Sequence, residues 1–289
     1  MGELLSARKH LEMAISLYDR ERHRPVSFQY YGLDAGVRCL SLIAGCLWQL
    51  GYPDQALTRI NEALALAQGL SHPHSLAFAE LIAGAVHQDR REARAAQETA
   101  EALIALSAEH RMIGFLPFAA GLRGSAIAAQ GRHEEGIVQL KEGLAGIRAT
   151  GTEVSRPIYL CWLAEACMKT GRLDDGLNAV TEALAAADKE ERIQQAEMHR
   201  IKGELLLKQN NSNAAEAQSC FERAIEIARK QSAKSPELRA TMSFARLLDR
   251  QGHREEARAM LAEIYGWFTE GFDSADLKDA KALLDELNR

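Results

Sequence analysis

Several features that would mark other classes of protein are scarce or missing from this chain. Proline occurs 6 times in 289 residues, and aromatic side chains make up 6 %. Alternating runs of Val, Ile and Thr are missing, which argues against a sheet. No apolar run approaches the roughly 18 residues of a membrane span. The opening stretch "MGELLSARKHLEMAI" has no apolar signal-peptide core. The five cysteines are odd in number and show no CxxC spacing, so the expected location is a reducing cytoplasm. The net charge of −5 is spread out: residues 1–150 carry 15 basic and 16 acidic side chains. With no basic stripe and no span, neither nucleic acid nor membrane is an expected partner.

Signatures of catalysis are equally thin. There is no GxxxxGK[ST] phosphate loop and no Ser/His/Asp or Cys/His signature. "HEEG" at 133–136 lacks the second histidine of a zinc helix. In "HPH", His72 to His74, the proline turns the pair into a loop, no nearby Cys or carboxylate completes a ligand set, and His74 is expected to begin a helix. Cys39/Cys46 and Cys161/Cys167 each lie about two turns apart within one helix and read as small core hydrophobes. The expectation is therefore a protein that is not an enzyme and holds no metal or cofactor.

What is present is a repeat. The turn in "GYPDQAL" at Gly51 returns as "AQGRHEEGI" at Gly131, "KTGRLDDGL" at Gly171 and "RQGHREEAR" at Gly252. A 40-residue period places further turns around Arg90 and Ser212, and Gly2 looks like an earlier one. Five and twelve residues after each turn come Ala7/Ala14, Ala56/Ala63, Ala95/Ala102, Gly136/Gly143, Gly176/Ala183, Ala217/Ala224 and Ala257/Ile264, and thirteen of these fourteen are Ala or Gly. Seven residues before the turns stand Ala44, Ala83, Gly124, Ala164, Leu205 and Ala245. Small residues at fixed helical positions let antiparallel helices pack closely, with Leu64, Leu103 and Leu144 filling between them.

Each unit thus reads as a hairpin of helix A, turn and helix B. The spacing predicts a lone first helix at 3–18 and hairpins at 34–50/53–69, 73–88/91–109, 115–130/133–150, 154–170/173–187, 190–209/213–231 and 234–251/254–266. A last amphipathic helix at 274–287 carries Leu277, Ala280, Leu283, Leu284 and Leu287 on one side, with Asp273 as its N-cap and Asp276 in its first turn.

This pattern resembles the tetratricopeptide repeat, which has small residues at the same places about its A/B turn. The resemblance implies an all-α, right-handed α-α superhelix (a TPR-like solenoid) of about six hairpins with a C-terminal cap, and one domain over 1–289: 1–33 an incomplete repeat and long loop, 34–266 the hairpins, 267–289 the cap. Two stretches, 17–57 ("LYDRERHRPVSFQYYGLDAGVRCLSLIAGCLWQLGYPDQAL") and 264–287 ("IYGWFTEGFDSADLKDAKALLDEL"), look like the C-terminal repeat region of bacterial adenylate/guanylate cyclase–STAND-type ATPase signalling proteins. That likeness implies a regulatory, partner- or ligand-sensing segment.

The family's ligand-facing positions on the concave face, carried over by offset from each turn, fall on Arg38, Ser41, Trp48 and Gln49, then Glu80, His87 and Gln88, then Ser125. They continue through Glu165, Met168 and Lys169, His199, Lys202 and Gln209, and finally Arg239, Met242, Arg246 and Arg250. A second candidate surface is the long connection 19–34, with His23, Arg24, Tyr31 and Asp34. The expected function is a non-catalytic protein- or peptide-binding module whose partner is a peptide segment, acidic at the C-terminal half, or an upstream cyclase/ATPase domain. The alternative is a small-molecule effector sensor, with Trp48, Phe115 and Phe118 as pocket walls. Leu4, Leu5, Leu11, Met13, Ile15 and Leu17 are too many apolar residues for one neighbour, so an exposed patch on the first helix is expected to meet a second copy or an upstream domain.

Overall fold

In a computed structural model the structure describes residues 3–23, 32–152, 155–187 and 193–289. The described residues form α-helices with two short 3-10 turns and no strand. After α1 (Leu4–Leu17), six A/B hairpins follow: α2 (Ala35–Leu50) with α3 (Pro53–Leu70), α4 (Pro73–Asp89) with α5 (Ala93–Glu109), and α6 (Leu116–Ala129) with α7 (His133–Ala149). Then come α8 (Arg156–Lys169) with α9 (Leu173–Ala187), α10 (Gln195–Gln209) with α11 (Ala214–Gln231), and α12 (Lys234–Arg250) with α13 (Arg254–Tyr265), before the final α14 (Ala275–Leu287). The all-α hairpin array expected from the sequence is what folds. No helix is long and apolar enough to cross a membrane, among the described residues.

The period is written into the backbone. The residue that ends each A helix takes a left-handed conformation at Gly51 (φ 91°), Arg91 (62°), Gly131 (92°), Gly171 (76°) and Gly252 (88°). The amide after it closes the same bond each time: Tyr52 to Leu47, Glu92 to His87, Arg132 to Ile127, Arg172 to Cys167 and His253 to Leu248. This is a Schellman cap, which satisfies carbonyls the helix end leaves open. The B helices end likewise at Ser71, Arg111, Gly151 and Ser232, again with positive φ. The fifth hairpin turns differently. There Asn210 accepts from the Ser212 amide and Asn213 donates to the Leu206 carbonyl at 3.3 Å, so a 3-10 turn replaces the left-handed residue.

These caps correct one register. The second turn pivots on Arg91, not Arg90, so the residues five and twelve positions on are Ala96 and Leu103, both fully buried. Ala95 is only half buried and Ala102 is exposed. The other small pairs of the hairpins, Ala56/Ala63, Gly136/Gly143, Gly176/Ala183, Ala217/Ala224 and Ala257/Ile264, are all buried. The α6/α7 hairpin shows why. A Cβ on Gly136 would lie 2.5 Å from the Gly124 carbonyl, and one on Gly143 would lie 2.7 Å from the Gly121 amide. Backbones meet there, and any side chain would force them apart.

The first helix departs from the rule. Ala7 and Ala14 face solvent. Leu4 is buried instead, its carbonyl accepting from Cys46 Sγ at 3.3 Å, and Leu11 and Ile15 rest on Ile43, Leu47, Trp48 and Ala56. The repeat spacing therefore does not extend to α1, and the Gly2 turn lies outside the described residues. At the other end Ser274, not Asp273, is the N-cap of α14, while Leu277, Ala280, Leu283, Leu284 and Leu287 are buried as expected.

The chain divides into two compact units: Glu3–Trp48 with Tyr52–Gly151, and Thr152–Arg289 with Gln49–Gly51. In the first, the core runs through Val37, Ile60, Ala63, Leu70, Ala83 and Val86. In the second it runs through Phe221, Leu238, Ala245, Leu261, Leu277 and Leu284. Within each unit, A helices of successive repeats also touch one another: α4 with α6 in the first, and α8, α10, α12 and α14 in series in the second.

Candidate functional site

Because α8, α10, α12 and α14 stand side by side in the second unit, and α4 and α6 in the first, their unburied faces adjoin one another within each unit. The second unit has the more developed one. Arg200 on α10 donates to Glu165 on α8 at 2.8 Å and makes a two-pronged contact with Glu197 one turn earlier, at 2.9 and 2.6 Å. Arg239 on α12 meets Asp276 on α14 at 2.7 Å and stands 3.6 Å from Glu197. Five charges from four helices thus make one ladder. Arg200, Glu197, Arg239 and Asp276 are only 13–14 % exposed, and Glu165 forms the open end at 39 %. Burial raises the Glu197 carboxyl, but Arg200 and Arg239 outweigh it and hold it below the ordinary carboxylate range. The buried Arg200 guanidinium is likewise held firmly protonated by Glu197, Glu165 and Glu204.

This ladder uses two residues that the repeat offsets project onto the ligand face, Glu165 and Arg239, and three that the offsets miss: Glu197, Arg200 and Asp276. The Glu197/Arg200 spacing of three residues was a visible signal of a helical ion pair. The partnership of Arg239 with Asp276, 37 residues on, had no local signal. Lys202 turns toward the B helix, 3.2 Å from Glu216 of α11. Further along the A helices Lys169, Arg246 and Arg250 are exposed, and His199 is half buried.

In the first unit the projected residues do different things. Arg38 is exposed on α2. Trp48 is buried in the core with Ile43, Leu47 and Ala56. His87 is bound to Glu92 at 2.7 Å, in a turn that Arg90 completes by contacting Glu92 at 2.8 Å and donating to the Pro53 carbonyl. Glu80 on α4 is partly buried and makes no ion pair among the described residues; burial raises its carboxyl to about 7. Of the residues named as pocket walls, Phe115 is half buried and packs edge-on against His74.

The two described ends of the long connection, 19–23 and 32–34, contact the helices on either side. Asp34 is fully buried; it caps α2 by accepting from the Val37 amide at 3.0 Å and from the Tyr18 hydroxyl at 2.9 Å. Tyr18 lies so close over Gly36 that a Cβ there would come within 2.6 Å of its ring. His23 accepts from the Asp19 amide, and Arg20 donates to the Gly69 carbonyl at 2.8 Å. Arg24 and Tyr31 lie outside the described residues. His72 caps α4 through Ser75, and no group of three metal-ligating side chains occurs among the described residues. The cysteines are free; Cys39 is half buried and the other four are buried.

No protein-family model matches the chain. An uncharacterized protein of Rhizobium meliloti (strain 1021) is 23 % identical over 248 residues, covering 86 % of this chain and 24 % of that protein, so the chain spans about a quarter of the relative's length. Among solved structures, NprR in complex with its cognate peptide NprX superposes with a TM-score of 0.63 at 12 % identity, covering 97 % of this chain and 81 % of that one. A Rap protein complexed with Competence and Sporulation Factor gives 0.62 at 13 % identity, over 99 % and 74 %. Aspartyl phosphate phosphatase F from Bacillus subtilis gives 0.56 at 12 % identity, over 92 % and 66 %. These likenesses establish a TPR-like helical-repeat fold.

Proposed function

We propose that the chain is a regulatory peptide-binding module that holds an extended or helical protein segment against the unburied face of its A helices. The observation that carries this reading is the exposure of Lys169, Arg246 and Arg250 there without an ion pair among the described residues, on a fold that in NprR is occupied by a cognate peptide. Rigid repeats offer a preformed surface, and side chains at fixed offsets set the register of the ligand. The longer bacterial relative is consistent with 1–289 as one segment of a larger protein; that this protein is a signalling protein of the cyclase–STAND type rests on the sequence likeness of 17–57 and 264–287 alone.

A displayed random-peptide library panned against the full chain tests this. The reading predicts enrichment of a consensus that binds in solution and is lost when A-helix residues are changed. Enrichment of nothing above background would remove it. The exposed Leu5, Met13 and Leu17 of α1 are the surface for the dimer expected from the sequence. Leu5→Glu with Leu17→Glu would then halve the mass seen by light scattering, and an unchanged monomer mass in both proteins would reject the dimer.

A further inference from the structure

The A helices of the second unit carry charge at two levels that differ in kind. The ladder of Glu165, Arg200, Glu197, Arg239 and Asp276 is closed, each member answered by another. Toward the helix C-termini stands a second row: Lys169 is four residues after Glu165, Glu204 four after Arg200 and seven after Glu197, and Arg246 seven after Arg239. Steps of four and seven are about one and two helical turns, so these side chains leave their helices on the same sides as the ladder. The ladder's contacts fix the levels. Arg200 meets Glu165, so Glu204 stands level with Lys169, and Arg239 leans to Glu197, so Arg246 stands level with Glu204.

This second row is open. Lys169, Arg246 and Arg250 make no ion pair among the described residues, Glu204 is in no direct ion pair but its charge acts on Arg200 of the ladder, and Asp249, beside Arg250, is taken by Arg254 at 2.8 Å. Six other cations of the unit are answered, Arg156 by Glu182, Lys202 by Glu216, Arg223 by Glu226, Lys234 by Glu237, Arg258 by Glu255 and Lys281 by Asp285, whereas Lys230 and Lys278, which lie off this row, also make no ion pair among the described residues.

We propose, resting on the peptide-binding reading, that Lys169, Arg246 and Arg250 around Glu204 form the recognition row for an extended acidic peptide with two carboxylates about five residues apart. Packed helices lie ~9 Å apart, so Lys169 and Arg246, two helices apart, are separated by roughly 18 Å. At ~3.3 Å per residue an extended chain covers that in about five residues. The middle of the peptide faces Glu204 and takes a neutral or basic side chain, while a third acid there is repelled. The closed ladder does not compete for the ligand's carboxylates, because taking Arg200 or Arg239 would strand a buried Glu197. Recognition by exposed charges acts mainly on association and is screened by salt.

The test uses the full chain and three fluorescent Gly/Ser peptides about eight residues long: one with acids about five positions apart, one with the two acids adjacent, one with lysines about five positions apart. The spaced-acid peptide should bind about tenfold more tightly than either of the others at low salt, with the advantage shrinking as salt rises. Lys169→Glu with Arg246→Glu, both exposed and with an unchanged melt, should transfer the preference to the lysine peptide. Glu204→Gln should improve binding of the adjacent-acid peptide alone. Equal binding of spaced and adjacent acids overturns the spacing. A preference of the unmutated chain for lysine overturns the acidic assignment while leaving peptide binding intact. Binding of none of the three overturns the proposal, and the library selection decides separately whether the peptide reading falls with it.

Discussion

The two units treat a buried carboxylate on an A helix in opposite ways. In the second, Glu197 is shielded from water yet held below the ordinary carboxylate range, because two arginines reach it from its own helix and from α12. In the first, Glu80 is partly shielded, has no ion-pair partner among the described residues, and rises to about 7. Burial pushes both the same way, and only the partner decides the sign. One face therefore spends its charge on holding four helices in register, and the other keeps an acid that a bound cation would stabilise in its ionised form.

The largest expected effect lies in the ladder. Arg200→Met leaves Glu165 and the buried Glu197 without their main cation and should cost about 3 kcal/mol in urea unfolding. A loss below about 1 kcal/mol would mean the ladder is dispensable, and the contrast between the units would lose its energetic content. Next comes packing, which the units share. Ala63→Leu in one and Ala183→Leu in the other place a large side chain at fully buried positions and should each cost about 1–3 kcal/mol. Gln55→Leu, at an exposed position, should stay within about 0.5 kcal/mol of zero. Equal effects at all three positions would break the shared register.

The smallest effect is the one that separates the units by pH. Glu80 has a folded-state pKa above its unfolded one, so between roughly pH 4.5 and 7 the unfolded chain gives up a proton that the folded chain keeps, and stability falls across that window. Glu80→Gln should therefore melt close to the unmutated protein near pH 4.5 and above it at pH 8. Glu197 runs the other way: its contribution is present above the unfolded carboxylate pKa and is lost as pH falls through its depressed folded value. Matching pH profiles for Glu80→Gln and the unmutated chain would show that Glu80 is solvated after all.

Most of the fold was legible because turn chemistry repeats. Gly51, Gly131, Gly171 and Gly252 mark left-handed caps that glycine adopts without strain, and the small residues counted from them are buried. At the second turn, which has no glycine, the spacing is one residue out of register. Arg91 takes the same left-handed conformation with a side chain that gives no sign of it, so Ala95/Ala102 stood in for Ala96/Leu103. The α1 register was misleading for a different reason. Ala7 and Ala14 sit at the right spacing, but no preceding A helix among the described residues packs on them, and Leu4 and Leu11 face α2 instead. The candidate face was legible only in part. Offsets can place Glu165 and Arg239 on a helix side, but they cannot say that Arg239 is answered by Asp276, or that Trp48 and Asp34 are consumed by the core and by a cap.

Site-specific photo-crosslinking tests the central claim most directly. A benzophenone side chain is placed at Arg246 on α12, or at Glu222, exposed on the B helix α11, and each full chain is irradiated with a labelled peptide taken from the library selection. The account predicts a covalent adduct from position 246, competed away by unlabelled peptide, and none from position 222. Adduct at 222 with none at 246 would place the ligand on the B helices and contradict it.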